Sequence, residues 1–138
     1  MTGVSYAAGD AEAPALVLSA PLSFWGGIDV ATGRIIDRSH PDLGTSVTGR
    51  ILVMPGGRGS SSSSSVLAEA IRCGTGPAGI ILSIPDPILT VGALVAQALY
   101  GVRCPIVVCD ASGVATGDRL RVHAADTGPA QVDEIALP

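Results

Sequence analysis

Six consecutive serines, Ser60 to Ser65, follow Gly56, Gly57, Arg58 and Gly59 in the stretch TGRILVMPGGRGSSSSSSVLAEAIRC (residues 48–73). Glycines let a ligand approach the main chain, hydroxyls supply donors and acceptors, and a guanidinium between two glycines can pair with a carboxylate or phosphate in bidentate fashion. The chemistry this set suits first is the capture of a small anion.

The elements on either side must position that loop. Ile51 to Met54 is a short apolar run suited to a buried strand, and Val66, Leu67, Ala70 and Ile71 recur with helical spacing. The serines therefore form a turn into a helix, whose first N–H groups lack intrahelical partners and favour negative charge. At least one serine is expected to cap that helix. A serine run read by composition alone is a flexible linker. Here it joins a core strand to a core helix of one domain, which favours a binding loop.

Other patterns add less. No Gly-Lys-Ser/Thr follows the glycines, so the loop is not a Walker A motif, and neither the Rossmann glycine spacing nor the GxSxG elbow is present. A serine nucleophile would need a general base, and the two histidines are His40 and His123. His123 falls in an alternating stretch and reads as an exposed or rim residue. His40 lies in DRSHP, where it reads as a turn histidine beside Asp37 and Pro41. Asp29, Asp37 and Asp42 share that loop with His40, but their spacing matches no metal-ligand pattern and they read as solvated turn acids. No metal site is expected. Cys73, Cys104 and Cys109 form an odd set with no CxxC motif, read as reduced thiols, the last two structural and buried.

The chain has 138 residues, enough for one domain. It contains eight arginines, no lysine and a net charge of -4, with no basic stripe, which excludes a nucleic-acid partner and disfavours an anionic membrane surface. Pro85, Asp86 and Pro87 interrupt the apolar stretch 78–100, so no membrane span is expected. No basic n-region with an apolar core opens the chain, and a cytoplasmic location is the expectation. Residues 1–13 read as frayed, with a first strand from Ala15 to Leu18. The segment 19–41 reads as a long loop around one strand near Arg34 to Ile36, holding the chain's single Phe and Trp. Gly79 to Ser83 and Pro105 to Cys109 read as strands, Thr90 to Tyr100 as a helix, and the alternating stretch 113–137 as a hairpin with one wet face. The fold class is α/β, a single compact β/α barrel-like domain.

Three stretches together resemble a known family: PLSFWGGIDVATGRIIDRSHP, GRILVMPGGRGSSSSSSVL and GPAGIILSIPDPILTVGALVAQALYGVRCPIVV are similar to the small subunit, or swivel domain, of the aconitase X family. The resemblance covers residues 21 to about 110, and the order of SFWGGID, TGRIIDRSHP and a GxGS loop is its most specific feature. It implies an aconitase-type swivelling β/β/α barrel docked on a large subunit that carries an iron–sulfur cluster, with no cofactor bound by this chain alone. It also implies a catalytic base at the first serine of a Gly-Ser-Ser loop, which places Gly59, Ser60 and Ser61 in that motif and makes Ser60 the candidate base. Gly57, Arg58, Gly59, Ser61 and Ser62 become candidate substrate-binding residues. Aconitase follows its serine pair with arginine, whereas Ser62 stands here, and Arg58 is the candidate substitute. Ser23, Phe24, Trp25, Gly26, Gly27, Asp29 and His40 are candidates for the pocket rim or the subunit interface.

Two family activities are implied by the resemblance, dehydration of cis-3-hydroxy-L-proline and dehydration of mevalonate 5-phosphate. The arginine-rich, lysine-free composition favours the first. The expected partners are the large subunit and a small carboxylate substrate, with self-association of the isolated chain through an aliphatic face. Two alternatives come from other classes: a phosphohistidine-type swivelling domain, which lacks a suitably placed histidine here, and a non-catalytic anion-binding module.

Overall fold

The computed structural model describes residues 1–136. Strands β1 (Thr2–Ala7), β2 (Gly9–Val17), β5 (Ile51–Met54), β6 (Gly79–Leu82), β7 (Ile106–Val108), β8 (Arg119–Ala124) and β9 (Pro129–Glu134) close into a barrel in the order β1-β7-β6-β5-β2-β8-β9. The β1–β9 pairing, Thr2 opposite Gln131, completes the ring. A small hairpin of β3 (Ile28–Asp29) and β4 (Arg34–Ile35) stands apart from it. The helical elements are a four-residue turn α1 (Phe24–Gly27) and the helices α2 (Ser63–Cys73) and α3 (Pro87–Tyr100).

Neighbours β2, β5, β6 and β7 run parallel to one another, with Ala15 opposite Ile51, Ile51 opposite Gly79 and Ile80 opposite Ile106. β5 and β6 are buried at every residue. Ile51, Val53 and Ile81 pack with Leu120, Val122 and Val132 in one cluster, while Leu52, Met54, Ile80 and Leu82 pack with Leu67, Ile71, Leu89 and Ala93 of the helices in another. Burial on both faces explains why these strands read as unbroken apolar runs. Each fully buried aliphatic side chain adds about 1.5–3 kcal/mol of burial. β8 and β9 alternate, with Leu120, Val122, Ala130 and Val132 inside and Arg119, Arg121 and Gln131 outside. The expected hairpin is thus present, except that its last residue, Leu137, lies outside the described residues.

The N-terminal expectation is corrected. Residues 1–13 are not frayed, since they supply β1 and most of β2, and β2 starts at Gly9 rather than Ala15. Alternation is present there in small residues: Ala13 and Ala15 point into the barrel, while Asp10 and Glu12 face water and pair with His123 and with Arg119 and Arg121. The two guanidiniums hold the Glu12 carboxyl below its ordinary range.

Among the described residues, no helix is long and apolar enough to cross a membrane. α3 has Pro87 at its start and a left-handed Gly101 at its end, as helix chemistry favours. Its inward face (Leu89, Gly92, Ala93, Ala96) is buried, and its outward face exposes Val91, Leu94, Val95 and Leu99 with no charged residue in the helix.

Candidate active site

The serine loop leaves the C-terminal end of β5 and enters α2 beside the start of α3, where a cleft of about 190 Å3 opens. Gly57, Arg58, Gly59, Ser60 and Ser63 line it from the loop, Leu22 from the segment after β2, and Asp86, Ile88 and Leu89 from the α3 end. Among the described residues, Arg58 is the one guanidinium in that lining. Its charge also reaches Asp37, whose carboxyl is held below its ordinary range first by hydrogen bonds from Ser39 and then by Arg58.

The glycines are fixed by close contacts. Gly59 adopts φ +95°, and a Cβ there would lie 2.6 Å from Ser23 Oγ. Gly57 forms a parallel bridge with Leu22, and its N–H donates to Asp86 Oδ2 at 3.1 Å. That bond removes the Gly57 amide from the set of free anion donors. The amides of Gly59, Ser60 and Ser61 have no acceptor among the described residues.

The serines divide by role. Ser60 is exposed, and its Oγ accepts the Ser62 N–H at 3.1 Å. Ser63 is 3% exposed, and its Oγ accepts the Trp25 N–H at 3.1 Å beside Ser23 Oγ at 3.5 Å. Ser64 Oγ donates to the Ile88 carbonyl at 2.6 Å and ties α2 to α3. Ser61, Ser62 and Ser65 are exposed, and Ser61 and Ser62 lie outside the cleft lining. The expected serine cap is corrected: Ser62 holds the N-cap position with helical φ/ψ, and its side chain accepts no bond from the helix. The hydroxyl that serves instead lies two residues earlier: Ser60 Oγ accepts the Ser62 N–H.

The rim candidates are spread more widely than the sequence suggests. Trp25 is 58% exposed and Gly26 lies beside it, exposed at φ +75°, so both stand at the surface next to Ser63. Phe24 is corrected from rim to core, since it is 0% exposed in the helix-side cluster, and Gly27 is buried as well. Asp29 is a turn acid that accepts from the Ala31 N–H and the Thr32 hydroxyl. His40 is buried, with Nδ1 accepting the Asp42 N–H at 3.0 Å and Nε2 donating to the Ala20 carbonyl at 3.2 Å. Both ring nitrogens are thereby committed to tying its turn to the exit of β2, and neither faces the cleft. Asp86 and Ser63 are site residues that sequence reasoning did not single out.

No group of three or more His, Cys, Asp or Glu side chains is placed to hold a metal among the described residues. Cys104 is buried and its thiol is pushed up to about 12 by desolvation, Cys109 is buried and shifted upward for the same reason, and Cys73 is exposed.

The aconitase X swivel domain family matches residues 1–130. The chain belongs to that family. A cis-3-hydroxy-L-proline dehydratase of Pseudomonas aeruginosa is 50% identical over 99 residues, which cover 72% of this chain and 17% of that protein. A phosphomevalonate dehydratase small subunit of Methanopyrus kandleri is 52% identical over 83 residues, 60% of this chain and 62% of that one. The swivel domain thus spans only about a sixth of the Pseudomonas relative. Among solved structures, aconitase X of Thermococcus kodakaraensis in its holo-form matches 97% of this chain and 99% of its own, with TM-score 0.84 and 33% identity.

Proposed function

We propose that this swivel domain works as the small subunit of a hydro-lyase, presenting Ser60 as the base that takes a proton from the carbon beside a substrate carboxylate. The observation that carries this reading is the setting of Ser60. Its oxygen stands at the lip of the cleft and receives a backbone N–H from Ser62, beside the free amides of Gly59 to Ser61 at the entry to α2 and next to Arg58.

A serine hydroxyl is a weak base in water. An N–H aimed at its oxygen, the positive end of a helix and a nearby guanidinium all favour the alkoxide, more so when a docked partner excludes solvent. Arg58 and the free amides hold the substrate carboxylate and the negative charge that develops as the proton leaves. Leu22, Ile88 and Leu89 form the apolar wall that keeps water from the reacting carbon. For cis-3-hydroxy-L-proline the balance is simple. The Cα–H bond breaks with its proton passing to the Ser60 alkoxide, the C3–O bond breaks with the hydroxyl leaving as hydroxide, transfer of the serine proton to that hydroxide releases water and restores the base, and the enamine tautomerises to the pyrroline carboxylate. Lewis-acid help to the departing hydroxyl belongs to the iron–sulfur cluster expected in the large subunit.

The charge-free outward face of α3 adjoins the cleft through Ile88 and supports a two-chain reading, because an apolar stripe of this kind is expected to be covered. The hydroxyproline relative, 50% identical over 99 residues, together with the lysine-free composition, supports cis-3-hydroxy-L-proline as substrate. Mevalonate 5-phosphate is the second reading, supported by the small subunit at 52% identity. Co-expression with the large subunit, followed by anaerobic assay on both compounds, tests this. Turnover of the first is expected. Turnover of the second alone would reassign the substrate, and an intact cluster-loaded complex silent on both would remove the hydro-lyase reading.

A further inference from the structure

We infer that Asp86 is a positioning residue for the serine loop, a carboxylate that holds the loop and caps α3 at the same time; this rests on Ser60 being the reactive group. The two oxygens are divided between two elements. Oδ1 accepts the Ile88 and Leu89 N–H groups at 2.9 and 3.1 Å, which is the side-chain cap of α3, and Oδ2 accepts the Gly57 N–H at 3.1 Å across the cleft. Asp86 is itself fixed: its backbone is extended (φ -131°, ψ 99°) ahead of Pro87, and its carbonyl accepts both the amide and the hydroxyl of Thr90. The group that touches Gly57 is therefore anchored to a helix packed into the core, while Gly57 lies three residues before Ser60.

Gly57 has the matching requirement. A Cβ at that position would overlap Asp86 Oδ2 and approach Leu89 Cδ1 to 3.3 Å. The carboxylate oxygen thus occupies the space that any other residue at 57 would need. From Gly57 the chain passes through Arg58 to Gly59, whose positive φ seats it against Ser23, and so reaches Ser60. The loop has two fixed points ahead of its reactive hydroxyl, one supplied by Asp86 and one by the contact with Ser23.

Only a group with two acceptor oxygens can fill both roles. Asparagine caps helices as well as aspartate does, but it offers one oxygen and one NH2. With its oxygen on the Ile88 and Leu89 amides, the NH2 of Asp86→Asn would face the Gly57 N–H, donor against donor. This substitution separates loop positioning from helix capping.

The test is Asp86→Asn in the co-expressed complex, with Gly57→Ala and the double variant as a cycle. Asp86→Asn is expected to keep the fold and partner binding, to lower the melting temperature by only a few degrees, and to lose about 10- to 100-fold in kcat with KM little changed, the scale of a small misplacement of a reacting group. Gly57→Ala should lose activity similarly, and the double variant should be no worse than the poorer single, because both break one contact. Amide hydrogen exchange at Gly57, followed by NMR on the labelled chain, provides a readout independent of turnover. Exchange should accelerate in Asp86→Asn while Ile88 and Leu89 stay protected. Parent-level kcat in Asp86→Asn, or an unchanged Gly57 amide, overturns the inference. If the parent complex turns over neither substrate, the functional reading fails while Gly57 exchange still reports on the clamp: unchanged protection in Asp86→Asn refutes it, and lost protection upholds it.

Discussion

The serine run is uniform in sequence and divided in structure, and replacing each of its six serines singly by alanine turns that division into numbers. Ser63 carries the largest expected cost. Its buried oxygen is the acceptor for the Trp25 N–H, and its loss leaves that donor unpaired next to the core residue Phe24. An unsatisfied buried donor costs about 1–3 kcal/mol. Ser64→Ala removes the bond to the Ile88 carbonyl, about 0.5–1.5 kcal/mol, and regains about 0.5 kcal/mol from the better helix former. Ser61, Ser62 and Ser65 are exposed and make no side-chain hydrogen bond among the described residues, so their variants should lie within about 0.5 kcal/mol of the parent. Ser60→Ala gives up one exposed bond to the Ser62 amide and should be nearly as mild. Urea denaturation at pH 7 reads the series as shifts in midpoint at constant slope. If Ser63→Ala proves as stable as Ser65→Ala, the assignment of Ser63 as the tie between α2 and the Trp25 turn is wrong.

Gly92→Ala should destabilise the chain although alanine is the better helix former by about 1 kcal/mol, because the new methyl would sit 2.8 Å from the Ser64 carbonyl oxygen and 3.2 Å from Leu67 Cβ where α2 crosses α3. A raised melting temperature in a thermal scan would show that the crossing has slack. Cys104 makes the fold sensitive to alkali: its folded pKa of about 12 lies above the ordinary 9.0 of the unfolded thiol, so its contribution is complete below pH 9 and falls by about 1.4 kcal/mol per pH unit as pH rises towards 12. Cys104→Ala should flatten that part of the stability–pH curve, measured by denaturation between pH 8 and pH 11, and an unchanged slope would place its origin elsewhere.

The parts of the fold that were legible in the sequence are those whose residues are strongly apolar or strongly patterned. β5 and β6 are buried on both faces and announce themselves as ILVM and GIIL, and the wet face of β8 and β9 shows as alternation. The first part of β2, Gly9 to Pro14, does not show in the sequence because its inward positions are alanines, which weigh little as strand formers, and its outward acids look like solvated loop until Arg119, Arg121 and His123 are brought beside them. At the site, the glycine–serine loop was visible as chemistry, but its internal division was not. Ser63 shares a face with Leu67 and Ala70, a helical phase that the run of identical residues conceals. Asp86 carried one readable sign, Asp-Pro at a helix start, which gives the cap but not the bond to Gly57, 29 residues earlier in the chain. Phe24 reads as rim together with its neighbours in SFWGGID, whereas the turn folds its ring into the core and turns Trp25 outward.

The central claim is that Ser60 supplies the base, and the most direct test is kcat of the assembled complex carrying Ser60→Ala, with subunit stoichiometry and cluster content checked against the parent. The account predicts an intact complex with kcat lowered by about 100-fold or more and no recovery at higher pH. Turnover within a few fold of the parent would contradict it and place the base on another residue.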